Sequence, residues 1–159
     1  FGPLLTLGSL FAISSNTVEL FSPEFYKAIY IGIPFGFLTT NILYINQFPD
    51  TNSDEKTGKN HLIVTFGKKN ARWGYLLILI AAFASSFALI QTISNDLSFF
   101  NEYFFIAGNV ILFVYGLSAF YNLFKNYDKR ELVHSNLKTI YLQIFYGLFI
   151  VLALNLFFV

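Results

Sequence analysis

Trp73-Gly74-Tyr75-Leu76-Leu77-Ile78-Leu79-Ile80-Ala81-Ala82-Phe83-Ala84-Ser85-Ser86-Phe87-Ala88-Leu89-Ile90-Gln91-Thr92-Ile93 runs without a charged side chain. A helix needs about 20 consecutive apolar residues to cross a bilayer core, because each residue advances only about 1.5 Å. The stretch therefore reads as a membrane span. Outward from it, residues 25–45, 103–121 and 140–159 repeat the pattern, and residues 1–14 form a fifth, shortened apolar run. Polar separators lie between them at residues 15–24, 46–72, 94–102 and 122–139. The expected fold is all-α, a multi-pass transmembrane bundle of five helices embedded in a lipid bilayer.

Composition agrees. Hydrophobic residues make up 55% of the chain and charged residues 12%, against about 25% charged in an ordinary soluble domain. A net charge of +1 leaves no electrostatic footprint for a nucleic-acid partner. With no Cys there is no disulfide framework, no thiolate metal site and no Cys nucleophile. The chain opens at Phe1 and contains no Met, so it is expected to be a piece of a longer polypeptide. Its first residues lack the basic start and small-residue cleavage pattern of a secretory leader and read instead as most of a helix.

The basic residues orient the spans. Lys56, Lys59, Lys68, Lys69 and Arg72 fall in one separator and Lys125, Lys129, Arg130 and Lys138 in another, which is nine of the ten. Lys27 sits just inside a helix, and the other two separators carry Glu19, Glu24, Asp96 and Glu102. Short loops rich in Lys and Arg stay on the cytoplasmic side. Residues 46–72 and 122–139 are therefore expected in the cytoplasm.

Within the spans, Gly32 and Gly36 form a small-xxx-small pair, and Ala81, Ala84, Ser85 and Ala88 give the next helix a small face, both suited to close helix packing. Pro34 lies between the glycines and favours a bend. Polar side chains at membrane depth face the bundle or a cavity. Asn41, Asn109, Gln143 and Asn155 are thus cavity-lining residues or helix-to-helix hydrogen bonders.

Chemistry concentrates in Asn46-Gln47-Phe48-Pro49-Asp50-Thr51-Asn52-Ser53-Asp54-Glu55-Lys56-Thr57-Gly58-Lys59. Asn46, Asp50 and Asp54 recur every fourth residue, so a helix stacks them on one face. Carboxylates at that spacing repel unless a cation sits between them. Mg²⁺ suits the position, since it takes oxygen ligands and is held by one or two carboxylates plus the oxygens of a substrate phosphate. Lys56 and Lys59 stand ready to balance the remaining phosphate charge. Pro49 is expected to break or kink the helix, which leaves Asp50 and Asp54 as the safer pair and Asn46 as a weaker third ligand.

The stretch continues through Gly58-Lys59-Asn60-His61-Leu62-Ile63-Val64-Thr65-Phe66-Gly67. Together with the apolar helix before it, this resembles the second Asp-rich motif of the UbiA superfamily of intramembrane prenyltransferases. It is most similar to the menaquinone-pathway branch, whose motif runs N-x-x-x-D-x-x-x-D, then G-K, then a short hydrophobic stretch and a Gly. His61 stands where relatives often carry Thr or Ser; together with His134 it reads as an ordinary loop histidine. The resemblance implies that residues 1–159 are the C-terminal part of one prenyltransferase domain and supply the fifth to ninth of nine helices. It also implies that Asn46, Asp50 and Asp54 belong to a Mg²⁺–diphosphate site, with Lys59 beside the diphosphate. A first Asp-rich motif is not found in these residues, so the N-terminal half of the same polypeptide is an implied partner and the piece alone is expected to be inactive.

The reaction so implied is transfer of a polyprenyl group from polyprenyl diphosphate to an aromatic acceptor, 1,4-dihydroxy-2-naphthoate in the menaquinone branch. Tyr44 and Phe37 are candidates to shield an allylic cation with their ring faces, and Asn41 to line the cavity. Prenylation of 4-hydroxybenzoate, homogentisate or a glycerophosphate-type lipid stays open. So does a membrane component without catalytic activity.

Overall fold

The structure is a computed structural model that describes residues 1–14, 18–93 and 99–157. Part of the first acidic separator and residues 94–98 of the third, with Asp96, lie outside the described residues. Five helices make up the fold, with no strand among the described residues: α1 (Gly2–Ile13), α2 (Pro23–Lys56), α3 (Leu62–Ile93), α4 (Phe99–Asn126) and α5 (Leu132–Phe157). Helices α2 to α5 are long and apolar enough to cross a membrane, and α1 is a shorter apolar helix. The all-α, multi-pass bundle expected from hydropathy is what forms.

Helix α2 packs on α3, α3 on α4, α4 on α5 and α5 back on α2, which closes a ring of four; α1 docks on α2. Leu38, Ile45, Phe48, Tyr75, Leu79, Phe105, Leu142 and Tyr146 fill the ring's interior. Large apolar side chains also face outward, Leu77 and Ile111 at 67% exposure and Leu148 at 64%. A helix that is apolar on both faces is the form suited to a bilayer, where lipid covers the outer side.

The small pair of α2 does what its spacing predicts. A Cβ on Gly32 would sit 2.6 Å from the Cα of Pro3, so only glycine lets α1 lie this close. The small residues of α3 behave otherwise: Ala84 and Ala88 are exposed, and the buried face is Ala82, Phe83, Ser86 and Leu89. Side-chain polarity decided the outcome, because Ser86 makes hydrogen bonds inside the bundle. Its Oγ donates to Asn109 Oδ1 at 2.6 Å and accepts from the Tyr146 hydroxyl at 2.7 Å.

Two expectations need correction. The separator at residues 46–72 is not a loop: α2 runs to Lys56 and α3 starts at Leu62, which leaves only five residues between them. Nor does α2 break at Pro49: it lies, with Pro34, inside one continuous helix of 34 residues. Proline removes a single backbone hydrogen bond. The flanking turns are held by packing of Ile45, Phe48 and Thr51, all buried, and by the Thr51 hydroxyl, which donates to the Gln47 carbonyl at 2.9 Å. Apolar content marks where hydrocarbon ends, not where a helix ends.

Candidate active site

The α2–α3 turn is built by two glycines in the left-handed region, Gly58 with φ 75° and Gly67 with φ 72°. A side chain at either would be strained. Gly58 ends α2 and reverses the chain; the Lys59 N–H then donates to the Asp54 carbonyl at 2.9 Å. Gly67 is the one non-helical residue within α3 and sets the turn Leu62–Phe66 off from the long span after it.

The reversal brings Lys59 and His61 onto the side chain of Asp54. Lys59 Nζ lies 3.2 Å from Asp54 Oδ1, and His61 Nε2 lies 3.2 Å from Oδ2. With the carboxylate ionised, the His61 N–H is the donor. The Lys59 ammonium hydrogen-bonded to it holds the Asp54 carboxyl below the usual carboxylate range, outweighing the cost of desolvation. Asp54 therefore gives up its charge at lower pH than an ordinary carboxylate does.

Asp50, one turn back on the same unbroken helix, is exposed and forms no ion pair with any described residue. Asn46 lies one turn further back; its Oδ1 accepts from Asn136 Nδ2 of α5 at 2.7 Å. Because α2 continues through Pro49, Asn46, Asp50 and Asp54 share one face after all. Lys56 is exposed in the last turn of α2, where a cation suits the negative end of the helix dipole.

The cavity candidates separate. Asn41 is fully buried and its Nδ2 donates to the Tyr75 carbonyl of α3 at 3.2 Å, a helix-to-helix bond. The Tyr44 hydroxyl donates to the Ala71 carbonyl at 2.7 Å, but its ring forms part of a groove of about 490 Å³ shared with Thr40, Gln47, His61 and Leu62. Phe37 is half-buried and lines a different pocket, with Gly36 and Thr40. Asn109 bonds Ser86, Gln143 Nε2 donates to Thr39 Oγ1 of α2 at 2.8 Å, and Asn155 is exposed and donates to its own helix.

His61 is more than a loop histidine. Its side chain is only 19% exposed, it bonds Asp54, and its Nδ1 is buried without a hydrogen-bond partner. The sequence signal was present in the Gly58 turn between Asp54 and His61, but only a folded turn reveals that seven residues of separation become a contact.

Among the described residues no three His or acidic side chains form a ready metal cage. Two carboxylates and an amide oxygen on one helix face are nonetheless the hard donor set that Mg²⁺ takes when a phosphate supplies further ligands. The Lys59 ammonium on Asp54 marks that face as one where a cation is already held. Both basic clusters gather at this end of the bundle, as the Lys68 Nζ to Asp128 Oδ1 contact at 2.9 Å shows.

No curated protein and no solved structure matches the chain. Residues 1–139 match the UbiA prenyltransferase family. That match takes in α1 to α4, the acidic end of α2 and the turn after it, and the chain belongs to the UbiA prenyltransferase family.

Proposed function

We propose that the chain carries the diphosphate-handling half of an enzyme that transfers a polyprenyl group from polyprenyl diphosphate to an aromatic acceptor, 1,4-dihydroxy-2-naphthoate. The observation that carries this reading is the pair Asp50 and Asp54 on one face of an unbroken helix end, one exposed and unpaired, the other already holding a cation. Family membership supports prenyl transfer in general. The acceptor rests on the menaquinone-like order of Asn46, Asp50, Asp54, Gly58, Lys59 and Gly67.

In this reading Asp50 and Asp54, with Asn46, would hold a Mg²⁺ ion, which when bound would supply neutralisation of the charge on a leaving diphosphate. The chain's own residues do the rest. Lys59, with 72% of its side chain exposed, is free to turn from Asp54 toward an incoming diphosphate oxygen, and Lys56 stands on the same helix end. His61 keeps its hydrogen bond to Asp54 and so fixes the carboxylate as Lys59 leaves. The Tyr44 ring walls the groove beneath, where a prenyl chain is sheltered from water. A second acidic motif comes from another part of the polypeptide, and the acidic end of α2 faces the cytoplasm.

Assay of the full-length protein with naphthoate, hydroxybenzoate and homogentisate acceptors tests the substrate class: turnover on naphthoate is expected, and turnover only on the other two refutes it. Orientation is tested separately. Single Cys probes at Ser53, near the end of α2, and at Leu20, just before its start, should label from opposite sides of the membrane in this Cys-free chain, Ser53 from the cytoplasm. Labelling of Ser53 from outside would overturn it.

A further inference from the structure

A second groove opens on another side of α2, at the same end of the bundle. It measures about 350 Å³ and is walled by Phe48 and Pro49 of α2, Lys68 of α3, the connector through Lys129 and Arg130, and Val133 and Asn136 of α5. At about 30 Å³ per water molecule this is space for roughly a dozen waters, more than a lone phosphate fills. Neither Asp50 nor Asp54 borders it.

Its charge is specific. Lys68 is bound by Asp128, the one carboxylate on the wall. Lys129 and Arg130 are exposed and make no ion pair with a described residue. The floor between them is apolar, and Asn136 contributes an Oδ1 that is buried without a donor. From Val133 an exposed apolar stripe runs along α5 through Leu137, Ile144 and Leu148 at helical spacing, with exposures of 53%, 45%, 49% and 64%. A cationic rim, an unfilled acceptor and an apolar track leading away from both match the three parts of one molecule.

We propose that this groove binds the phosphate headgroup of an anionic phospholipid, with its glycerol hydroxyl toward Asn136 and an acyl chain along the Val133–Leu148 stripe of α5. Basic pockets between membrane helices bind anionic headgroups where they lie at headgroup depth. The site also touches the candidate active site, because Asn136 holds Asn46. Occupancy of the groove thus bears on the face that carries Asp50 and Asp54.

Native mass spectrometry of the full chain released from nanodiscs of phosphatidylglycerol and phosphatidylcholine tests the site. One phosphatidylglycerol should be retained, and the pair Lys129→Gln with Arg130→Gln should lower its retention by more than about tenfold. The pair Lys69→Gln with Lys125→Gln removes the same charge away from the groove and should change retention by less than about twofold. Val133→Trp, which leaves the charge intact and fills the groove, should mimic the first pair. Equal loss in both charge pairs would mean diffuse surface attraction and overturn the proposal. Full displacement by glycerol phosphate, or by a polyprenyl diphosphate analogue, would also overturn it, the first pointing to a free phosphate site and the second to a substrate site.

Discussion

Two polar clusters in this bundle differ in one respect, whether their hydrogen-bonding capacity is used up. In the interior, Tyr146 donates to Ser86, Ser86 to Asn109, and Asn109 to the Phe105 carbonyl at 3.0 Å, tying α3, α4 and α5 into a closed chain. At the end of α2, Asp50 has no ion partner among the described residues, His61 Nδ1 has no partner, and Asp54 is held by a lysine that is largely exposed. A buried polar group is costly unless paired, so a network deep in a membrane protein has to close on itself. An exposed carboxylate such as Asp50 can stay unpaired because water reaches it, and an open valence is what a ligand requires. Open valence alone does not mark a site, since Asn41 Oδ1, Ser135 Oγ and Gln143 Oε1 are also unpartnered but buried within the bundle; it is the exposure of Asp50 together with its lack of an ion partner that sets the end of α2 apart.

The sharpest way to break this distinction is at the carboxylates. Asp50→Ala or Asp54→Ala in the full-length enzyme should lower kcat by about 10²–10³ with folding and expression unchanged, as removal of a charge-stabilising group does. Asn46→Ala should cost less than either, since a neutral amide holds a dication more weakly. Glu55→Ala, off the spacing, is the control. Near-normal turnover of both Asp variants alongside a damaged Glu55 variant would reverse the site assignment.

Next comes His61. His61→Ala leaves Asp54 to Lys59 alone and should raise the Mg²⁺ concentration for half-maximal activity by about tenfold, the size seen when a group orienting a metal ligand is lost. His61→Gln retains a donor and should recover most of it. If Ala and Gln behave alike, the hydrogen bond to Asp54 does not position the carboxylate.

The smallest effect belongs to the interior. Tyr146→Phe removes one interhelical hydrogen bond and should cost about 1 kcal/mol of stability in a membrane, with turnover per folded molecule unchanged. Denaturant titration in detergent reads the first and kinetics the second. A loss of kcat without a loss of stability would place this network in the chemistry.

Much of the bundle was legible from hydropathy and charge, because a bilayer imposes length and apolarity on every span. That α2 carries a close-packing face could be read from Gly32 and Gly36, but not that α1 is the helix seated on it. The inward face of α3 could not, since Ala81, Ala84, Ser85 and Ala88 look like a packing face until Ser86 finds partners 23 and 60 residues away. That α2 continues past Pro49 is not legible in the sequence, because a proline's lost hydrogen bond is local whereas the packing of Phe48 and Thr51 that outweighs it is tertiary. His61 escaped for a related reason: its contact exists only once Gly58 has turned the chain.

The absence of a break at Pro49 also ties the acidic face to the thickness of the bilayer. From Asn46 to Lys56 the helix rises about 15 Å, and bilayers differ in hydrophobic thickness by a few Å. A hinged helix would absorb that difference at its joint. A helix continuous through Pro49 lacks that joint, so the height of Asp50 and Asp54 is coupled to the apolar span before them.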